Sequence, residues 1–415
     1  MPDAAHQTNS GGASANAAAT VATVYQLPVG VGGQGVLAYD VLVALARSGR
    51  AVHGLGPAMP DPSRWPADVP RPAWHPAPPA PPDWLRRYTW LRWHEGQYTY
   101  LNASRLGRWA AGEVRRIAPG MCYAFTEVAL ETLRWARAAS VPAILDNTTG
   151  DIRDYRDVGV REARHWCDES LRVHPSRRMV ARVEEEYALA DRIRVASAFS
   201  KRSMVERGVP AERVHVVPYP LGDLLGRFAY TTREAPRPGS PLRVCFSASL
   251  GLHKGFVYLL RAARRFGAPR LRLDLMGATD SRCTRRLLER ERVGLEVRAG
   301  PVREVARGLH DAELYVLPTL HDGYGFAVAE AMATGLPVIV TDRCGAADLV
   351  RPGATGWIVP TAGGPAAFEQ ALLDALEDAW RRRAELPAMG RAARDDLERR
   401  RAEYDGALGR WLHEC

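Results

Sequence analysis

Lysine is nearly missing from this chain. Of its 56 basic side chains only Lys201 and Lys254 are lysine; the others are arginine. Where arginine is the default cation, a lysine marks a place that needs a compact point charge and not a planar fork. Cysteine is also scarce. Cys122, Cys167, Cys245, Cys283, Cys344 and Cys415 form no CxxC pair and have no histidine at zinc spacing. That pattern argues against a metal site and predicts reduced, mostly buried thiols. No run approaches about 18 apolar residues without a charge, which excludes a membrane-spanning helix. Residues 1–20 are rich in Ala, Ser, Gly and Asn and lack a basic start with an apolar stretch behind it. They read as a disordered tail and not as a secretion signal, so a cytoplasmic protein is expected. No basic–aromatic stripe or zinc motif accompanies the net charge of +9, so nucleic acid is not an expected partner.

What is present suffices for two domains. The chain has 415 residues, against roughly 150 for a typical domain. With 46% hydrophobic and 25% charged residues, global disorder is excluded. A β-like run, Val21–Leu27, leads into the Gly-rich turn Gly30–Gly35 and a helical stretch from Val36 to Arg47. Eleven prolines fall in residues 57–82, which predicts a long irregular surface loop. Further strands are predicted at Cys122–Thr126, Val141–Leu145, Arg192–Ala196 and Val214–Val217, with helical stretches such as Glu127–Ala139 and Glu184–Ala190 between them. The Pro/Gly-rich break Glu234–Pro241 marks a domain boundary. The alternation restarts at Leu242–Ser247, Leu271–Met276, Leu295–Ala299, Leu314–Leu317 and Val338–Thr341, and ends in helices at Phe368–Arg383 and Gly390–His413. Strand–helix alternation in both halves predicts two parallel-sheet α/β domains facing a cleft, residues 21–230 and 231–385. Residues 386–415 are expected to pack back on the first domain.

The segment Leu317–Val340, LPTLHDGYGFAVAEAMATGLPVIV, carries the most chemistry. A buried strand ends at Leu317. A loop with Gly323 and Gly325 follows, and a helix starts near Phe326. Exposed amides at a helix N-terminus suit an anion such as a diphosphate. Asp322 and Glu330 flank the loop with seven residues between them. Carboxylates beside a phosphate site do not help by charge; they suit the hydroxyls of a ribose or hexose. A second segment, VCFSASLGLHKGFVYLLRAA from Val244 to Ala263, runs strand, turn, helix and places Lys254-Gly255 at the helix start.

These residues resemble the retaining nucleotide-sugar glycosyltransferases of the two-domain GT-B fold, family 4, also called group 1. Asp322-x7-Glu330 resembles that family's E-x7-E signature, with Asp in the first position. The downstream Gly345, Ala346, Asp348, Gly353, Gly356 and Val359-Pro360 also fit. So do Asp191, Ser197, Ser200, Lys201 and Pro218-Tyr219 between the domains. The resemblance implies that Glu330 binds the nucleotide ribose and Asp322 the donor sugar. It assigns the donor diphosphate to Lys254 with Ser249, which stands where the family has Arg, and to Gly323, Tyr324, Gly325 and Phe326. It places Gly277 and Val302 near the nucleotide and Gly32 and Gly33 near the donor phosphate. Gly30-x-Gly32-x-x-Gly35 also matches a dinucleotide fingerprint, but the ribose-binding acid about twenty residues on is missing from Ala51–Pro57. On the acceptor side the family often has a histidine after the strand matching Val141–Leu145, where this chain has Asp146 and Asn147. His53 and His165 enter only by elimination.

The implied activity is metal-independent, cofactor-free transfer of a hexose from a nucleotide-diphosphate sugar to a saccharide, lipid-linked or small-molecule acceptor, with retained anomeric configuration. A non-catalytic sugar-nucleotide-binding protein and a sugar-nucleotide epimerase are the rival readings. Six of the eleven tryptophans lie between Trp65 and Trp109. They fit either a small core beneath the Pro-rich loop or a stacking and interfacial surface. With the basic charge they add peripheral contact with an anionic membrane to the expected partners.

Overall fold

The computed structural model describes residues 20–27, 32–59, 61–80, 95–167, 175–237, 239–300 and 305–415. The tail 1–19, Gly30, Trp84, Trp90, Trp93 and Val302 lie outside them. The first sheet contains β1 (Thr20–Val24), β2 (Ala51–Gly56), β3 (Ala73–Pro76), β4 (Met121–Phe125), β5 (Ala143–Asn147), β6 (Arg192–Val195) and β7 (Val214–Val216), ordered β3-β2-β1-β4-β5-β6-β7. The second contains β8 (Leu242–Ser247), β9 (Leu271–Met276), β10 (Glu296–Gly300), β11 (Leu314–Leu317), β12 (Val338–Thr341) and β13 (Gly356–Val359), ordered β10-β9-β8-β11-β12-β13. All pairings are parallel. In each sheet the order reverses once, between β1 and β4 and between β8 and β11. The crevice at the carboxyl ends of such strands is where open α/β sheets bind ligands.

Strands β11 and β12 are buried on both faces. Helices cover both sides of a parallel sheet, so its central strands read as unbroken apolar runs. The Pro-rich stretch departs from the expected irregular loop. Ala73–Pro76 adds β3 to the sheet through His53↔Ala73 and Leu55↔His75. An edge strand tolerates proline because one side of it needs no ladder donors. Gly54 of β2 makes this packing possible: a Cβ there would lie 2.6 Å from the Trp74 ring. Trp74 stacks on Tyr25, and Trp65 is buried against Tyr39, so these two tryptophans build core.

Two elements join the halves. The helix Leu386–His413 buries Leu386, Met389, Ala393 and Leu397 in the second core and Leu408, Trp411 and Leu412 in the first. Asp405 on that helix accepts the amides of Leu221 (2.7 Å) and Gly222 (2.9 Å) in the interdomain segment. The helix Ile152–Trp166, capped by Asp151, leaves the first domain to dock on Phe256–Phe266 of the second. There Tyr258 donates to Glu162 at 2.6 Å, and the Trp166 ring lies edge-on to Tyr258 at 5.3 Å. This docking corrects the expectation of six thiols. It brings Cys167 to Cys283, 116 residues away in sequence, and the two form a disulfide between the domains. Cys122, Cys245 and Cys344 are buried free thiols, and Cys415 is a half-buried one. Among the described residues no helix is long and apolar enough to cross a membrane.

Candidate active site

The second domain's switch point lies between β8 and β11, and each strand runs into a loop there. After β8 the chain turns through Leu252–Lys254 to Gly255. Gly255 has φ +72°, and a Cβ on it would lie 1.9 Å from the Pro318 carbonyl oxygen. Only glycine lets the two loops approach this closely. After β11 the loop runs from Pro318 to Gly325, which caps the helix Phe326–Ala333 with φ +82°. A Cβ on Gly325 would lie 2.6 Å from the Cys344 sulfur.

This approach puts Lys254 Nζ 2.6 Å from Asp322 Oδ2. Both side chains are only 18% exposed. The other carboxylate oxygen, Asp322 Oδ1, accepts the amides of Gly325 at 2.9 Å and Tyr324 at 3.3 Å. Burial opposes both charges. For Lys254 the facing Asp322 outweighs it and holds the ammonium above its ordinary range. For Asp322 the reverse holds: Lys254 and the Tyr324 amide keep the carboxyl below its ordinary range despite burial. The loop that looked suited to an exogenous anion therefore already holds one, its own Asp322. Asp for Glu explains this, since the shorter side chain reaches back to the amides two and three residues on.

Glu330 lies one turn further along the same helix. With Phe326 it faces a cavity of about 830 Å³. The other walls come from the helix Gly32–Arg47, the interdomain segment Tyr219–Phe228 and the end of the C-terminal helix. Burial raises the Glu330 carboxyl above its ordinary value, with Arg227 opposing. Across the cavity, burial pushes Asp40 up to about 7 in spite of Arg194. Lys254 and Asp322 do not line this cavity; they sit at the loop end of the helix that does. The Tyr324 ring is buried against Tyr219 (4.8 Å) and Phe326 (4.7 Å), which leaves its amide as its polar contribution.

The remaining expected residues separate into two groups. Ser249 is exposed on the loop after β8. Gly277 packs that loop tightly, because a Cβ would lie 1.8 Å from the Ala248 carbonyl oxygen. Gly32 and Gly33 open the helix Gly32–Arg47 behind β1. Asp146 and Asn147, expected on the acceptor side, are both fully buried. Asp146 pairs with Arg194 at 2.8 Å and accepts from Tyr123 at 2.6 Å. Asn147 donates to the Gly150 carbonyl at 2.7 Å. Both are buried, though on opposite faces, because β5 lies inside its sheet and is covered on both sides. His53 contacts His75 at 3.0 Å, and His165 packs on Trp166.

Sequence reading assigned no role to the contacts that hold the 320–325 loop to the first domain. The Gly323 carbonyl accepts from Ser197 Oγ at 2.7 Å and Ser200 Oγ at 3.0 Å. A Cβ on Gly323 would lie 2.3 Å from the Thr148 oxygen. His321 bridges to Thr149 and Asp154. Its only sequence signal was its place beside Asp322. Among the described residues no group of three or more His, Cys, Asp or Glu side chains is placed to hold a metal ion.

Residues 241–378 match the family model of group 1 glycosyl transferases. The chain is 32% identical over 192 residues to the D-inositol 3-phosphate glycosyltransferase of Nocardia farcinica, covering 41% of this chain and 42% of that one. It is 30% identical over 260 residues to the 2-deoxystreptamine N-acetyl-D-glucosaminyltransferase of Streptomyces fradiae, covering 56% of this chain and 60% of that one. The chain thus spans less than two thirds of these relatives' length. In structure it is similar to the sucrose-phosphate synthase of Thermosynechococcus elongatus, with TM-score 0.65, 18% identity and coverage of 95% and 97%. It is also similar to Anabaena HepE in complex with UDP-glucose, with TM-score 0.63, 14% identity and coverage of 95% and 100%. The chain has the GT-B fold of two Rossmann-like domains, and its residues 241–378, which hold Lys254, Asp322 and Glu330, match the group 1 glycosyl transferases.

Proposed function

We propose that this protein is a retaining group 1 glycosyltransferase of family 4, moving a hexose from a nucleotide-diphosphate sugar to a hydroxyl of a saccharide, lipid-linked or small-molecule acceptor. The observation that carries this reading is the Lys254–Asp322 pair at a helix N-terminus, inside the segment that matches the family model. In the proposed reaction the bond between the anomeric carbon and the diphosphate oxygen breaks. The acceptor oxygen bonds to that carbon on the same face, and its proton passes to the departing phosphate oxygen. The products are a glycoside and a nucleoside diphosphate. Lys254 offsets the charge that grows on the leaving group, where a fixed cation in a partly dry site acts strongly. When the diphosphate arrives it takes over Lys254 and the loop amides from Asp322, freeing that carboxylate for the sugar hydroxyls. Glu330 holds the ribose from the 830 Å³ cavity. The nucleotide sugar is itself the substrate, and the reading includes no cofactor and no protein-held metal.

Two relatives named above are described as acting with D-inositol 3-phosphate and 2-deoxystreptamine, so cyclitols belong in the acceptor panel. Peripheral contact with an anionic membrane face is proposed for a lipid-linked acceptor. The test is incubation with UDP-, GDP-, ADP- and dTDP-sugars, with and without acceptors, reading nucleotide release. Acceptor-dependent release from one donor class is expected. Binding without release on any acceptor would favour the non-catalytic reading, and absence of both would overturn the proposal.

A further inference from the structure

His321 is a buried polar side chain at the domain boundary, with 2% of the residue exposed. One ring nitrogen, Nε2, lies 2.7 Å from the Thr149 carbonyl, and the other, Nδ1, lies 2.9 Å from Asp154 Oδ2. Both partners belong to the first domain, while His321 belongs to the second. A carbonyl can only accept. Asp154 also accepts from Arg343 and has Arg207 at 3.7 Å, and these cations with His321 hold its carboxyl below its ordinary range against burial. An ionised carboxylate likewise only accepts. Both ring nitrogens of His321 are therefore engaged by acceptors across the domain boundary. The rings of Tyr155 at 5.3 Å and Phe199 at 5.2 Å also pack against it.

We propose that His321 is a positioning residue, a buried latch that fixes the 320–325 loop against the first domain and so sets where Asp322 meets Lys254. Three observations agree. The neighbouring Asp322 donates its amide to the Arg343 carbonyl at 3.1 Å, so Arg343 ties the loop to Asp154 from a second side. Leu320 donates to the His253 carbonyl at 2.7 Å, which joins the loop to the turn that carries Lys254. Two residues beyond His321, the Gly323 carbonyl is clamped by Ser197 and Ser200. A buried ring whose two nitrogens both meet acceptors from one domain is satisfied only while the domains are together. It therefore links domain closure to loop geometry, which an apolar contact could not do with the same directionality.

The latch itself does not depend on the transferase reading; what the fixed loop then does rests on it. The test uses the full chain with His321→Phe and His321→Gln. Glutamine keeps one donor nitrogen and phenylalanine keeps none. Amide hydrogen exchange is followed in peptides covering 147–152 and 320–326. In the Phe variant both peptides are expected to exchange at least tenfold faster, with the Gln variant in between. Exchange unchanged in either peptide would overturn the latch. Should the Phe variant fail to fold, His321→Gln and Asp154→Asn decide on the same readout. With an active donor–acceptor pair, kcat is expected to fall at least tenfold in the Phe variant while nucleoside diphosphate affinity changes less than threefold, with partial recovery in the Gln variant. An equal loss in both parameters would overturn the positioning role. If the wild-type protein transfers nothing, the proposed function fails, and the exchange measurement still decides the latch.

Discussion

Replacing Lys254 with methionine keeps the side chain's length and removes its charge. It leaves Asp322, 18% exposed, with two backbone amides and no cation. A charge-assisted hydrogen bond contributes about 1.5–3 kcal/mol. Breaking a buried ion pair costs about 3–5 kcal/mol when the partner is left unsatisfied. Here the amides keep part of the compensation, so a loss of about 2–3 kcal/mol is expected. The pair is best isolated by a double-mutant cycle of Lys254→Met and Asp322→Asn, followed by chemical denaturation at neutral pH. A coupling energy of about 1.5 kcal/mol or more is expected. Its pH dependence has a fixed sign. Asp322 titrates below its unfolded value, so its share is present above the ordinary carboxylate range and is lost as pH falls through the depressed value. Lys254 titrates above its unfolded value, so its share is lost only as pH rises through the raised one. A coupling below about 0.5 kcal/mol would refute the reasoning, because surface pairs already give that much.

Three further expectations follow from the same geometry. Glu330→Gln should raise the melting temperature near neutral pH, because burial disfavours the native carboxylate, while donor turnover falls at least tenfold; unchanged turnover would show that the ribose role is misplaced. Asp40 titrates near 7 in the folded chain, so wild-type stability should fall as pH rises from about 4 to 7 and Asp40→Asn should flatten that slope, as equilibrium denaturation across the range would show. Peptide mapping without reductant should find Cys167 joined to Cys283, and reduction should lower the stability, by up to about 5 kcal/mol in the chain-entropy model; six alkylatable thiols in the unreduced, denatured protein would contradict the bridge.

What could be read in advance follows from the range of the interactions. Strands β8, β9, β11 and β12 were legible to the residue, because β11 and β12 are almost unbroken apolar runs and β8 and β9 keep an apolar residue at every second position. Strands β2, β3 and β13 were not, since Gly54, Gly56, Pro76 and Gly356 interrupt the pattern and each glycine or proline is explained only by its neighbour in space. The site showed the same division. The Asp322–Glu330 spacing and Lys254 before a glycine are local and stood out. The capture of the loop amides by Asp322 is a local turn, and the burial of Asp146 and Asn147 follows from the place of β5 in its sheet, but the Cys167–Cys283 bridge and the His321 contacts depend on how one domain seats on the other. His321 reaches partners more than 160 residues away in sequence, and no spacing rule covers that distance.

The central claim is transfer at the Lys254–Asp322 loop. Proton NMR of the wild-type protein with its preferred nucleotide sugar and an acceptor measures it most directly, since one spectrum reports both nucleoside diphosphate release and the anomeric configuration of the new glycoside. Release that depends on the acceptor, a product with the donor's anomeric configuration and loss of both in Lys254→Met are expected. An inverted product, or transfer that survives in Lys254→Met, would contradict it.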